Sequence, residues 1–65
     1  MNELVGSKIR ARRIRLRLTQ TELADKMLTI QSKVSRIESG KEIISVETLL
    51  AAAVALGVSP GRLLP

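Results

Sequence analysis

Apolar residues return at helical spacing in every stretch of this chain, and no stretch sustains a period of two. That pattern argues against a sheet and commits the chain to packed helices. Val5, Ile9, Arg12 and Leu16 follow one another at i, i+4, i+7 and i+11, which predicts a first helix from about Asn2 to Leu16. Thr19 starts a second. In Thr19-Gln20-Thr21-Glu22 the Glu stands three residues after the Thr, the spacing of a capping box. Leu23, Ala24 and Met27 give that helix its apolar face. A third helix is expected from about Gln31 to Ser39, with Val34 and Ile37 turned inward and Gly40 as its stop. Ser45 is placed to cap a fourth, Val46 to Leu56, with Gly57 just past its end. Ser59 is placed to cap a last short turn, with Pro60 at the favoured first position.

Sixty-five residues make one domain, taken as residues 1–65. The expected architecture is all-α: five short helices joined by short connections in a compact unit. The expected core is Val5, Ile9, Leu16, Leu23, Ala24, Met27, Val34, Ile37, Leu49, Leu50, Ala53, Leu56, Leu63 and Leu64. A chain this short buries only about 60% of the surface its unfolded form exposes, so stability is marginal.

The composition excludes several kinds of function. Without Cys there is no disulfide and no thiolate zinc site. Without His the usual general base and the commonest metal ligand are gone. Without Phe, Trp or Tyr no aromatic platform exists to stack an unpaired base. An enzyme is not expected, nor a cofactor, a metal or a small-molecule ligand. The longest apolar run, Leu49 to Leu56, is far short of the roughly 20 residues that span a bilayer. The first residues show no secretory pattern, so a cytoplasmic location is the expectation.

The net charge is +5, and the isoelectric point of about 10.9 is well into the range of nucleic-acid-binding domains. The six cations Lys8, Arg10, Arg12, Arg13, Arg15 and Arg17 look like a stripe in the linear sequence. At about 100° per residue they spread around the whole first helix instead. Arg12 and Arg13 flank its apolar face and are expected to lay their stems along it.

With Val34 and Ile37 inward, the third helix turns Gln31, Ser32, Lys33 and Arg36 outward. Helix, short turn, helix, then a Gly-Lys loop is the layout of a helix-turn-helix, here at helices two and three. An outward polar face suits the major groove, where Gln pairs with adenine and Arg with guanine. The same four residues also suit an ordinary solvated face.

The chain resembles the lambda-repressor-like, phage-repressor and Cro family of helix-turn-helix domains. The resemblance rests on Leu18, Thr19, Gln20, Leu23 and Ala24, then on Val34, Ser35, Arg36, Ile37, Glu38, Gly40 and Lys41. It continues through Glu47, Thr48, Leu49, Ala55, Leu56, Gly57, Val58 and Ser59. It implies base reading by Gln31, Ser32 and Arg36, with Lys33 between them within reach of a base or a phosphate. It implies backbone contacts from Gln20, with Ser39 and Lys41 as further anchors, and Thr19 as a cap first and a phosphate contact second. It also implies a buried ion pair between Arg13 and Glu38. From the basic block itself, Arg10 and Arg17 are candidate phosphate contacts, the alternative being general electrostatic steering.

Two departures stand out. The family usually has Gly where this chain has Arg17 and Leu28. A left-handed turn at a non-Gly residue costs about 1 kcal/mol or more. Leucine is an odd choice for an exposed turn, so Leu28 is expected to pack. Ile30 cannot cap the third helix, unless Thr29 takes that role one residue early.

Two function classes remain open. One is a sequence-specific regulator that binds double-stranded DNA as a homodimer on a palindromic operator. Its dimer surface is expected at the C-terminal helix, with Val58, Leu63 and Leu64 and with Ile43 and Ile44 as further candidates. The other is a protein-interaction module of the same fold that uses Ile14, Ile30, Ile43 and Ile44. Salt separates them, because phosphate-dominated binding weakens steeply with salt and an apolar contact does not. A membrane-surface role is disfavoured, since the first helix has charge on all sides.

Overall fold

The computed structural model describes residues 2–65. Among them are four α-helices, a terminal 3₁₀ turn and no strand. Helix α1 spans Asn2–Arg15, α2 Gln20–Lys26, α3 Gln31–Glu38 and α4 Val46–Leu56. The expected fifth helix is a single 3₁₀ turn, Pro60–Leu63.

The helix starts follow their capping chemistry. Thr19 lies outside α2 as its N-cap. Its Oγ1 accepts from the Glu22 N–H at 3.0 Å, and its own N–H donates to Glu22 Oε1 at 2.8 Å. The backbone bond holds the Glu22 carboxyl below its ordinary value of 4.5. Ser45 Oγ accepts from the Thr48 N–H at 3.1 Å, and α4 ends in left-handed Gly57 at φ 69°. Ser59, expected to cap the last turn, makes no side-chain capping bond, so Pro60 alone favours that start. Ile30 is the N-cap of α3 and offers no side-chain bond. Thr29 does not replace it: its side chain accepts no bond from the start of α3 among the described residues, and its N–H instead closes α2 on the Ala24 carbonyl at 2.9 Å.

The buried core is Val5, Ile9, Leu23, Ala24, Met27, Val34, Ile37, Ala52, Ala53, Leu56 and Leu63. Four expected members are not in it. Leu16 is 44% exposed, Leu50 47% and Leu64 42%. Leu49 packs only at the margin. The reason on α4 is geometric. The inward face is Leu49, Ala52, Ala53 and Leu56, at i, i+3, i+4 and i+7, which puts Leu50 on the adjoining flank with Val46 and Val54. Leu16 lies just past the end of α1, at the edge of a shallow cleft with Leu18, Lys26 and Leu56 that covers it only in part. Leu64 is the extended residue that closes the 3₁₀ turn.

Helices α1 and α3 meet backbone to backbone at Gly6. A Cβ there would sit 2.0 Å from the Ile37 carbonyl oxygen. Both corners around α2 are left-handed, Arg17 and Leu28 each at φ 59°. They share one bonding pattern. The Leu18 N–H reaches back to the Arg13 carbonyl at 3.1 Å, and the Thr29 N–H to Ala24. Leu28 is 94% exposed, which corrects the expectation that it packs. Its side chain has no place in the core, and the turn bears the left-handed cost unrelieved.

One ion pair ties α1 to the end of α3. Arg13 Nε donates to Glu38 Oε2 at 2.7 Å and Nη2 to Oε1 at 3.0 Å. Nη1 donates to the Leu18 carbonyl at 2.8 Å. The two side chains are 12% and 2% exposed. The hydrogen bond it donates to Glu38 raises the Arg13 pKa.

Three outcomes follow for stability. Leu28→Gly removes left-handed strain and no packing, so it raises the denaturant midpoint, by no more than about 1 kcal/mol because Gly also loosens the unfolded chain; a loss of about 2 kcal/mol would show a packed Leu28. Arg13→Ala and Glu38→Ala each leave a buried partner unpaired and cost about 3–5 kcal/mol, and the double variant costs less than their sum. Chemical denaturation of the four proteins reads the coupling, and additive small losses contradict it. Glu22, with its folded pKa lowered, stabilises fully above the ordinary carboxylate value and loses that contribution as pH falls below it. The stability gap between the parent and Glu22→Gln therefore closes in acid, as thermal melts across pH 3–7 would record.

Candidate nucleic-acid interface

Val34 and Ile37, 1% and 3% exposed, pin α3 to the core. Gln31, Ser32 and Arg36 are exposed on its outer side, and Lys33 is half-buried. Four side chains from three helices form a continuous chain behind this face. Arg13 holds Glu38, Gln20 Nε2 donates to Glu38 Oε1 at 3.1 Å, and Gln31 Nε2 donates to Gln20 Oε1 at 2.7 Å. Gln20 and Gln31, singled out separately in the sequence, are therefore bonded to each other. Gln31 keeps its carbonyl oxygen and one N–H for an outside partner, the pair of groups that recognises adenine.

Lys33 and Arg36 share a partner that the sequence reading missed. Lys33 Nζ lies 2.5 Å from Glu42 Oε2, and Arg36 Nε 2.9 Å from Glu42 Oε1. These bonds hold the Glu42 carboxyl below its ordinary range. Both contacts cross the Gly40 stop, at separations of nine and six residues that no helical spacing flags. Ser35 was also missed, although Ser32, Ser35 and Ser39 recur at i, i+3 and i+7. Ser35 lines a polar cleft of about 240 Å³ with Arg10, Gln20, Glu38 and Ser39.

The remaining candidates divide. Thr19 is engaged in the α2 cap. Ser39 Oγ donates to the Ser35 and Arg36 carbonyls at 2.9 and 3.2 Å, which closes the end of α3. Lys41 is exposed, and its side chain has no bonded partner among the described residues. Arg10 faces the polar cleft. Lys8, Arg12 and Arg15 fall together on the opposite side of α1. There, with Arg62, they line a second cleft of about 270 Å³ over Ala11, Val58 and Leu63. No helix among the described residues is long and apolar enough to cross a membrane.

Comparison with solved structures finds the same fold in two regulatory proteins. The restriction-modification controller protein C.AhdI from Aeromonas hydrophila superposes with a TM-score of 0.92 at 29% identity, over 95% of this chain and 94% of that one. The clp gene regulator ClgR from Corynebacterium glutamicum gives 0.93 at 30% identity, over 97% of this chain and 67% of that one. A second structure of that regulator gives 0.92 over 82% of its chain. Comparison with curated protein sequences gave no match. A family model described as helix-turn-helix matches residues 9–63, and the chain belongs to that family, in its phage-repressor and Cro branch of DNA-binding transcription regulators.

Proposed function

We propose that this domain reads specific sequences in duplex DNA by laying α3 in the major groove. The observation that carries the reading is the outer face of α3. Gln31, Ser32 and Arg36 stand exposed on a helix locked from behind by Val34, Ile37 and the Arg13–Glu38–Gln20 chain. Rigid presentation of this kind is what base-edge hydrogen bonding needs. Gln31 reads adenine, Arg36 guanine, and Ser32 and Lys33 complete the face. Lys41, Arg10, Gln20 and Ser39 sit around it as phosphate contacts, with Thr19 secondary to its capping role. The similarity to a restriction-modification controller and to a clp gene regulator supports a regulator of transcription.

The homodimer belongs to the same proposal. The domain is 24 Å across at its widest, whereas half-sites on a palindrome stand about 34 Å apart, so one copy reads one half-site. Of the surface expected from sequence, Leu63 is core and Val58 and Ile44 are half-buried. Leu64 and Ile43 are exposed, and beside Ile43 an exposed apolar stripe runs along α4: Val46, Leu50 and Val54 at i, i+4 and i+8. This stripe is the surface we assign to the second copy.

Selection of sites from random duplexes, followed by salt titration, tests the reading. Affinity for the selected site falls linearly with salt on logarithmic axes, by about 10³–10⁵ between 50 and 200 mM if a dimer touches 6–10 phosphates. Arg36→Ala and Gln31→Ala each relax preference at one base pair per half-site and cost about 1–3 kcal/mol. Lys41→Ala weakens all sequences alike and lowers the salt slope by about one per subunit. A flat salt response with no selected sequence would instead assign the exposed isoleucines and the α4 stripe to a protein partner.

A further inference from the structure

Glu42 is the acidic residue bonded to the outer face of α3, and it takes both cations there. Its two carboxylate oxygens are divided, Oε2 to Lys33 and Oε1 to Arg36. The carboxylate is 21% exposed and Arg36 49%, so the pairs lie at the rim of the face rather than beneath it. Surface pairs of this kind add little to folding. Their position gives them a different consequence, which rests on the DNA-reading role proposed for α3.

The decisive detail is which nitrogen of Arg36 is used. Glu42 takes Nε. A guanidinium has five N–H donors, and Nε has one of them. The two terminal nitrogens keep theirs, and they are sufficient for a two-bond contact with guanine O6 and N7. Arg36 can thus read guanine while still bonded to Glu42. It cannot place its charge on a phosphate as freely, because the carboxylate already neutralises it and repels the phosphate in turn. Lys33 is subject to the same trade with a single ammonium.

We infer that Glu42 is a specificity-determining residue that positions Arg36 for base reading and withholds Arg36 and Lys33 from non-specific phosphate contact. Binding to arbitrary DNA depends almost wholly on cations meeting phosphates. Binding to a cognate site adds base contacts that Glu42 leaves intact. A carboxylate in this place therefore lowers the first more than the second, and widens the ratio between them. It acts as a positioning group for Arg36 and touches no base in this role.

Glu42→Gln tests this, since it keeps the shape and removes the charge. Affinities of the parent and the variant are measured on the selected duplex and on a scrambled one, each across a salt series, with a thermal melt to show that the fold is retained. In the variant the scrambled duplex binds more tightly, the salt slope on it steepens by about one to two per subunit, and the ratio of the two affinities falls by about tenfold. Glu47→Gln serves as the control of equal charge change. Glu47 is exposed in the first turn of α4 and has no ion pair among the described residues; this variant keeps the parent's ratio. If Glu42→Gln tightens both duplexes equally, or changes neither, the positioning role is wrong. A parent that selects a site, alongside a Glu42 variant with the parent's ratio, overturns this inference alone. A parent that selects no site overturns the DNA-reading proposal as well.

Discussion

The Arg13–Glu38 pair is the joint on which the rest of the structure depends. It uses every face of the guanidinium. Two nitrogens bind the carboxylate from α3, and the third binds the Leu18 carbonyl in the corner that leads to α2. Three segments thus converge on one side chain. A buried ion pair is not in itself a strong source of stability, since desolvating both charges offsets most of their attraction. Its contribution here is orientation. Glu38 also accepts from Gln20, and Gln20 from Gln31, so the angle of α3 and the first residue of its outer face are fixed by the same bonds. Gly6 makes this possible, because only a residue without Cβ lets α1 come close enough to the Ile37 carbonyl for Arg13 to reach Glu38.

Helix α2 is held differently. It has seven residues, too few to be stable alone. A capping box closes its start, and left-handed corners bound it on both sides. Those corners are occupied by Arg17 and Leu28, where glycine would be less strained. The backbone bonds that close each corner are all made, and Leu23 and Ala24 are completely buried. Burial of α2 overrides the local preference of two residues at its ends. This is why Leu28 follows the turn that the fold dictates rather than the packing that its side chain suggests.

The helices were legible in the sequence because a buried face leaves a period of 3.6 whatever surrounds it. Ends were legible where a cap residue marks them, as at Thr19, Ser45 and Gly57, and less so at Ser59, where no side-chain bond forms. Burial was harder to read than periodicity. Apolar identity cannot say which of two apolar faces of α4 turns inward, so Leu50 was misplaced and the small Ala52 overlooked. At the interface, Val34 and Ile37 made the outward residues of α3 legible. The Arg13–Glu38 contact came through the family resemblance, since a separation of 25 residues has no local signature. Glu42 was invisible for the same reason. Its bonds to Lys33 and Arg36 span a glycine turn, and only the fold brings them together.

Charge, the most conspicuous feature of the composition, explains less of the interface than hydrogen bonding does. The +5 of the chain is not collected on the outer face of α3. Arg13 is consumed by Glu38, and Lys33 and Arg36 share Glu42. Lys8, Arg12 and Arg15 lie with Arg62 on the side of α1 away from Arg10. Charge that is spread over the molecule draws it toward any polyanion without favouring a sequence. Groups held in place are a different matter: the Gln31 amide is fixed on Gln20 and the Arg36 guanidinium through Nε, as the proposed base-reading role requires. The long-range field and the short-range contacts are thus separated in space. If α3 reads DNA as proposed, that separation is an advantage, because attraction to DNA in general does not compete with the geometry of the reading face.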